Sequence, residues 1–327
     1  MPEKGVAAAV DLRNRAIVYQ GDCLDFLRAV PDNTVSLVVT SPPYNIGKPY
    51  EKRLEIETCV EQQQTVAREC YRVLRPDGHL CWQTGNLVQG THIRPLDILL
   101  FPVFEQLGLR LRNRVIWRFE HGLHCSRRLS GRYETVLWFT KSDEYFFDLD
   151  AIRVPQKYPM KKYFKGPKKG LYSSNPKGKN PGDVWGTPNV KHNHVEKTTH
   201  PCQFPVELVE RFVLALTRER EWVLDPFLGT GTSIVAAVLR NRRGMGSEID
   251  AEYCKIARER VARAIAGTIR TRPMNRPIYQ PGGAYVVLAK GTKLRLHSRV
   301  PRAWLQRITR HVGYSTAAPS GRDSRRL

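Results

Sequence analysis

The spacing of hydrophobic positions changes repeatedly along the chain, and each change marks an element. Residues 35–40 (VSLVVT) form a nearly continuous β-branched and apolar run, the pattern of a strand buried on both faces. The run stops at Ser41-Pro42-Pro43-Tyr44, because proline brings no N–H to a strand ladder. Residues 16–20 read as a short strand, and Gly21-Asp22-Cys23 leads into a helical pattern through Leu27. Helical spacing over 60–74 is halted by Pro76-Asp77-Gly78, and 79–83 reads as the next strand. A helix follows over 96–107, then strands over 115–119 and 135–140, with 144–148 extending a hairpin. Beyond residue 200 the pattern resumes: helix 206–217, strand 222–224, helix 233–240, strand 244–249, helix 252–264. Strands alternating with helices predict an α/β fold, a mostly parallel sheet with helices on both faces. A possible strand pair (285–289 and 293–296) lies in the tail, and no internal repeat is visible.

Composition narrows the class. The chain has 327 residues, and its hydrophobic share of 41% is enough for a core and excludes a wholly disordered protein. No apolar run reaches the roughly 18–20 residues of a membrane span. The short Ala/Val stretch near the start meets Asp11 too soon for a signal peptide. Seven cysteines without CxxC spacing speak against a disulfide framework and a zinc ribbon. A soluble cytoplasmic protein with no membrane partner is expected, as monomer or homodimer.

The net charge of +22 is concentrated rather than spread. Residues 155–200 hold ten lysines against Asp183 and Glu196, and residues 268–327 hold thirteen Lys and Arg against Asp323. Together the two blocks supply 20 of the 22 charges. Such blocks suit a polyanion, since each neutralised phosphate releases condensed counterions. In the first block Lys157, Lys161, Lys162, Lys165, Lys168, Lys169, Lys177 and Lys179 interleave with Tyr158, Tyr163, Phe164 and Tyr172. A solvated lysine-rich linker is the plainer alternative.

Residues 223–232 (VLDPFLGTGT) read as strand, tight turn, then helix. Glycines there let backbone approach a ligand, and the helix start offers free N–H groups. Glu248 follows Asp225 at the separation that presents a carboxylate to ribose hydroxyls. The third glycine of GxGxxG is missing, and Asp225 would repel a pyrophosphate while suiting an ammonium group. An adenosine bearing an amino acid, S-adenosylmethionine, fits this better than NAD.

At this point the motifs resemble a family. Thr40-Ser41-Pro42-Pro43-Tyr44 resembles the catalytic loop of amino-group DNA methyltransferases, and residues 225–232 resemble their cofactor loop. The catalytic motif precedes the cofactor motif with a variable basic segment between, which resembles the circularly permuted β class of restriction–modification methylases. Gly21-Asp22-Cys23, His200-Pro201 and Glu248 fit the same pattern, and the resemblance covers roughly residues 16–265. It implies a Rossmann-like S-adenosylmethionine-dependent fold and a double-stranded DNA substrate, with a cognate restriction endonuclease as functional partner. It places Asp22 and Cys23 at the adenine end of the cofactor and Glu248 at the ribose. Asp225, Phe227, Gly229, Gly231 and Thr232 fall around the methionine portion, with Thr40, Thr230, His200 and Pro201 beside them. The domains expected are a catalytic one over 1–150 and 200–267, a target-recognition insert over 151–199, and a basic extension over 268–327.

The chemistry asks for such a loop. An exocyclic amine is a poor nucleophile because its lone pair is delocalised into the ring. Acceptors on its two hydrogens, the Ser41 hydroxyl and the Pro42 carbonyl, favour a pyramidal nitrogen and stabilise the developing positive charge. Pro42 and Pro43 hold those acceptors in place, and Tyr44 can stack on a base flipped from the duplex. In this family a leading Ser is usual for cytosine N4 and Asp for adenine N6, so Ser41 favours cytosine. Pro201-Cys202-Gln203 superficially matches the nucleophile loop of cytosine-C5 enzymes, but in the wrong chain order, and Cys202 is read as an inert side chain. His194-Val195-Glu196 lacks the PCxxC of a zinc deaminase, and no metal is expected.

Overall fold

The structure is a computed structural model, and it describes residues 10–48, 51, 53–122 and 124–278 together with the strands at 285–287 and 293–295. Residues 1–276 form one unit and 277–327 another. In chain order the first unit contains β1 (Ala16–Gln20), α1 (Cys23–Ala29), β2 (Val35–Thr40), α2 (Ile56–Val73), β3 (Leu74–Thr84), β4 (Asn86–Gln89), β5 (His92–Pro95), α3 (Leu96–Gln106), β6 (Arg110–Arg118) and β7 (Tyr133–Thr140). After the lysine-rich segment come β8 (Val184–Gly186), α4 (Val206–Leu216), β9 (Trp222–Asp225), α5 (Thr232–Leu239), β10 (Arg243–Glu248) and α6 (Ala251–Ile265). In the second unit β11 (Tyr285–Val287) pairs antiparallel with β12 (Lys293–Arg295), inside the strand pair the sequence suggested.

Eight strands form one sheet in the order β1-β10-β9-β2-β3-β7-β6-β8. All neighbours are parallel except β7, which runs against both β3 and β6. Alternate side chains of the central strands feed two cores. Leu37, Val39 and Val223 pack with Phe212, Ile234 and Val261 of α4, α5 and α6. Val38, Leu224 and Leu80 pack on the other face with Phe26, Val66 and Phe104 of α1, α2 and α3. Fully buried side chains such as Phe26, Trp82 and Phe104 each contribute about 1.5–3 kcal/mol relative to exposure.

The connections β2-α2-β3 and β9-α5-β10 leave the middle of the sheet in opposite directions, with their helices on opposite faces. The carboxyl ends of β2 and β9 therefore flank the switch point, where open α/β sheets form their ligand crevice.

Several elements depart from the pattern read in the sequence. β3 starts at Leu74, directly after α2, and residues 75–78 loop out between the Val35–Leu74 and Leu37–His79 pairs. β6 reaches back to Arg110 despite its charges, because Arg110 and Arg112 both pair with Asp143. The hairpin of β4 and β5 has no clear signal in sequence, and residues 144–148 form no strand. β8, three residues inside the lysine-rich segment, adds a parallel strand beside β6, with Trp185 buried against Phe212 at 4.7 Å between ring centroids.

Candidate active site

The two loops singled out in the sequence meet. The Thr40 hydroxyl, at the end of β2, donates to Asp225 Oδ1 at 2.6 Å, at the end of β9. Ser233 on α5 donates to Oδ2 at 2.6 Å, and the Phe227 amide donates to Oδ1 at 3.1 Å. Asp225 is 1% exposed, and its burial pushes the carboxyl up to about 6, against the pull of Ser233 and Thr40. The carboxylate lies beneath the crevice as a tie between β2, β9 and α5.

Above it lies a cavity of about 310 Å³. One end is walled by Gly21, Asp22, Cys23, Phe227, Gly229, Thr230, Thr232 and Glu248. The other is walled by Ser41, Pro42, Pro43, Tyr44, Gln83, Trp117, Phe119 and Glu134. His200, Pro201 and Cys202 also face it, as do Asn189 and Lys191. Thr40, Asp225 and Gly231 do not reach the cavity wall and act from behind it.

At the glycine loop, Gly231 caps the start of α5 with φ +83°, a left-handed conformation open to glycine. A Cβ there would also press on Ala257 of α6 at 3.1 Å. Arg260, buried on α6, donates to the Thr230 carbonyl at 2.6 Å and the Thr232 hydroxyl at 3.1 Å. Burial pulls its pKa down to about 10, so the brace remains cationic at neutral pH. Glu248 closes β10. Its Oε2 accepts from the Gly229 amide at 2.8 Å and its Oε1 from the Asp250 amide at 2.8 Å. Burial raises its pKa. Each oxygen keeps a lone pair that a diol could meet. Asp22 caps α1 by accepting from Leu24 N at 2.7 Å, while still facing the cavity. The neighbouring Cys23 thiol is pushed up to about 12, first by burial and then by Asp22, which makes it an apolar contact and no nucleophile. Burial, helped by Lys197, pulls His200 down to about 4, so its ring is neutral where it packs edge-on to Tyr253 at 4.7 Å.

At the proline loop, Gln63 of α2 donates to the Pro43 carbonyl at 3.2 Å and accepts from Trp82 Nε1 at 3.1 Å, which fixes the backbone. Ser41 Oγ lies 3.1 Å from the Tyr44 hydroxyl. Tyr44 donates to Glu134 Oε2 at 3.2 Å, and Gln83 Nε2 donates to the same oxygen at 2.6 Å. Burial raises the pKa of Tyr44, as does the neighbouring Glu134, and burial raises that of Glu134. Glu134, Gln83, Gln63 and Arg260 were missed by motif reading. Each sits on an ordinary strand or helix with no local signature.

All eight lysines of the insert named above are exposed. Lys177 pairs with Asp150, and the other seven have no carboxylate partner among the described residues. Residues 161–173 form a small hairpin, with Tyr163 N donating to Leu171 O at 2.9 Å and Ser173 N to Lys161 O at 2.9 Å. Phe164 at its tip is 90% exposed. Cys202 lies exposed on the cavity wall, and among the described residues no three His, Cys, Asp or Glu side chains are grouped to hold a metal. No helix of the described residues is long and apolar enough to cross a membrane.

A profile of the N6/N4 DNA methylase family matches residues 35–259. The type II methyltransferase M.BglII of Bacillus subtilis is 52% identical over 242 residues, spanning 73% of this chain and 67% of its own. Among solved structures, the cytosine-N4-specific PvuII DNA methyltransferase superposes with a TM-score of 0.61 at 20% identity, covering 80% of this chain and 95% of that one. A protein of Thermus thermophilus, described as a DNA modification methylase and complexed with S-adenosyl-L-methionine, gives 0.55 at 26% identity, covering 78% and 97%.

Proposed function

Since the chain belongs to the N6/N4 DNA methylase family, we propose that it transfers a methyl group from S-adenosylmethionine to the N4 amine of cytosine at a specific duplex sequence. The observation that carries this reading is the Thr40–Asp225 hydrogen bond, which brings the acceptor loop and the glycine loop to one cavity. The cavity fits the cofactor by its donor set: a left-handed glycine at a helix start, a carboxylate with spare lone pairs at the next strand end, and apolar Phe227 between them. Asp22 and Glu248 would hold its adenosine, and the glycine loop its amino-acid end. When bound, it supplies an electrophilic methyl group on a sulfonium centre.

The protein's own residues prepare the acceptor. Ser41 Oγ and the Pro42 carbonyl take the two amine hydrogens, so the nitrogen lone pair turns out of the ring plane toward the methyl group. Tyr44, Trp117 and Phe119 give an aromatic slot for a base taken out of the stack. The exposed lysines of residues 157–179 meet phosphates, which positions the duplex without reading its sequence. Ser41 at the head of the loop supports cytosine over adenine. The likeness to a type II methyltransferase supports a partnership with a restriction endonuclease, the methylation shielding host sites.

Incubation with tritiated S-adenosylmethionine and duplex DNA, followed by digestion to nucleosides, tests the reading. Label in N4-methylcytosine is expected. Label in N6-methyladenine would overturn the base assignment, and label in neither would overturn the DNA substrate.

A further inference from the structure

We propose that Glu134 is a positioning residue that fixes the direction of the hydrogen bonds running to Ser41, so that Ser41 Oγ presents lone pairs, and not its hydrogen, to the target amine. This rests on the role given to Ser41 above, and goes beyond it by assigning a residue 93 positions downstream that belongs to neither motif. The chain of contacts has a single sense. Gln83 Nε2, which can only donate, reaches Glu134 Oε2 at 2.6 Å, so that oxygen is an acceptor. The Tyr44 hydroxyl lies 3.2 Å from the same oxygen and gives its one hydrogen there. Its oxygen is then left to accept, which makes Ser41 the donor in the 3.1 Å contact between their hydroxyls. With that hydrogen consumed, only lone pairs remain on Ser41 Oγ toward the cavity.

The same order holds whether or not Glu134 carries a proton. Oε2 accepts both bonds in either form, and a proton, which the raised pKa favours, has Oε1 to sit on. Oε1 has no protein partner among the described residues. Holding the loop is a separate task, since Gln63 anchors the Pro43 carbonyl from α2. Without Glu134 the Tyr44 hydrogen is free to swing to Ser41. The serine hydrogen would then face the amine, a donor set against a donor at the atom where positive charge develops.

The test compares Glu134→Ala, Glu134→Gln, Tyr44→Phe and the Tyr44→Phe/Glu134→Ala double variant, with Ser41→Ala as reference. Glu134→Ala should lower kcat by roughly 10- to 100-fold while leaving KM for duplex DNA and equilibrium binding of S-adenosylmethionine within about two-fold. Glu134→Gln keeps a carbonyl oxygen for both donors and should retain kcat within about three-fold. Tyr44→Phe should match Glu134→Ala, and the double variant should be no slower than either. A Glu134→Gln enzyme as slow as Glu134→Ala would overturn the proposal in favour of a charge or proton-accepting role, and full turnover by Glu134→Ala would remove the residue from the reaction. If Glu134→Ala melts early, Tyr44→Phe against Glu134→Gln makes the same comparison with little change in volume. Full turnover by Ser41→Ala would instead sink the role of the loop itself. An inactive Ser41→Ala beside an active Glu134→Ala would sink only this inference.

Discussion

Asp225 gathers three hydrogen bonds on two buried oxygens, and that arrangement has a thermodynamic signature. Its pKa stands near 6 against an ordinary 3.8, so between those values the native state holds a proton that the unfolded chain has released. Stability contributed by this site therefore falls as pH rises from about 4 to about 6, by on the order of 3 kcal/mol, and stays lower above. His200, with its pKa pulled down to about 4, works with the opposite sign, gaining stability as pH rises toward 6.5. The two overlap in the wild type, so the informative quantity is a difference. Urea unfolding of the wild type and Asp225→Asn at matched pH should show the wild type losing ground to the variant between pH 4 and pH 6. A constant difference across that range would refute the shift. At this scale the sequence was readable where a residue sits in a loop of unusual composition: Ser41, Asp225, Gly231 and Glu248 announce themselves by neighbours. Glu134 and Arg260 do not, because their meaning lies in partners 90 and 30 positions away, to which no spacing points.

Elements were legible in proportion to the burial of their own residues. All six positions of β2 are buried, and its bounds match the apolar run. β6 was read short because its first half is polar, and its pairing is secured by Asp143 and Thr140 from outside the strand. β8 has three residues, two of them exposed, and exists because β6 offers an edge. Contact between elements also sets the tolerance of β10. A Cβ on Gly246 would collide with the Asp225 carbonyl oxygen and meet Leu228 side-chain carbons at 3.1 and 3.3 Å. Gly246→Ala is therefore expected to cost about 1–3 kcal/mol by overpacking and to loosen the glycine loop. Differential scanning calorimetry with and without S-adenosylmethionine should show a lowered melting temperature and a smaller stabilising shift on adding the cofactor. An unchanged melting temperature would mean that the two strands are freer to separate than their packing indicates.

Across the whole molecule, the α/β class and the concentration of charge were both visible in the sequence, because alternation and composition survive without knowledge of contacts. What composition left open was whether the lysines are spent on internal ion pairs, and among the described residues only Lys177 of the eight is. Replacing Lys157, Lys161, Lys162, Lys165, Lys168 and Lys169 with glutamine should weaken duplex binding and flatten its salt dependence, by about 0.9 in the log–log slope for each phosphate no longer neutralised. Binding measured from low to moderate salt would show this, and an unaltered slope would return the segment to a solvated linker.

The bond from Thr40 to Asp225 crosses 185 positions of sequence, and β2 lies beside β9 with Leu37 opposite Val223 and Val38 opposite Leu224. Everything N-terminal to the lysine hairpin brings the acceptor loop, and everything C-terminal to it, up to residue 276, brings the glycine loop. The reaction centre is thus built like the interface of a heterodimer whose two subunits happen to be joined end to end. Which half is translated first is irrelevant to such an interface. Cutting the chain at the exposed Gly166 turn would divide the polypeptide while leaving every hydrogen bond of the seam intact.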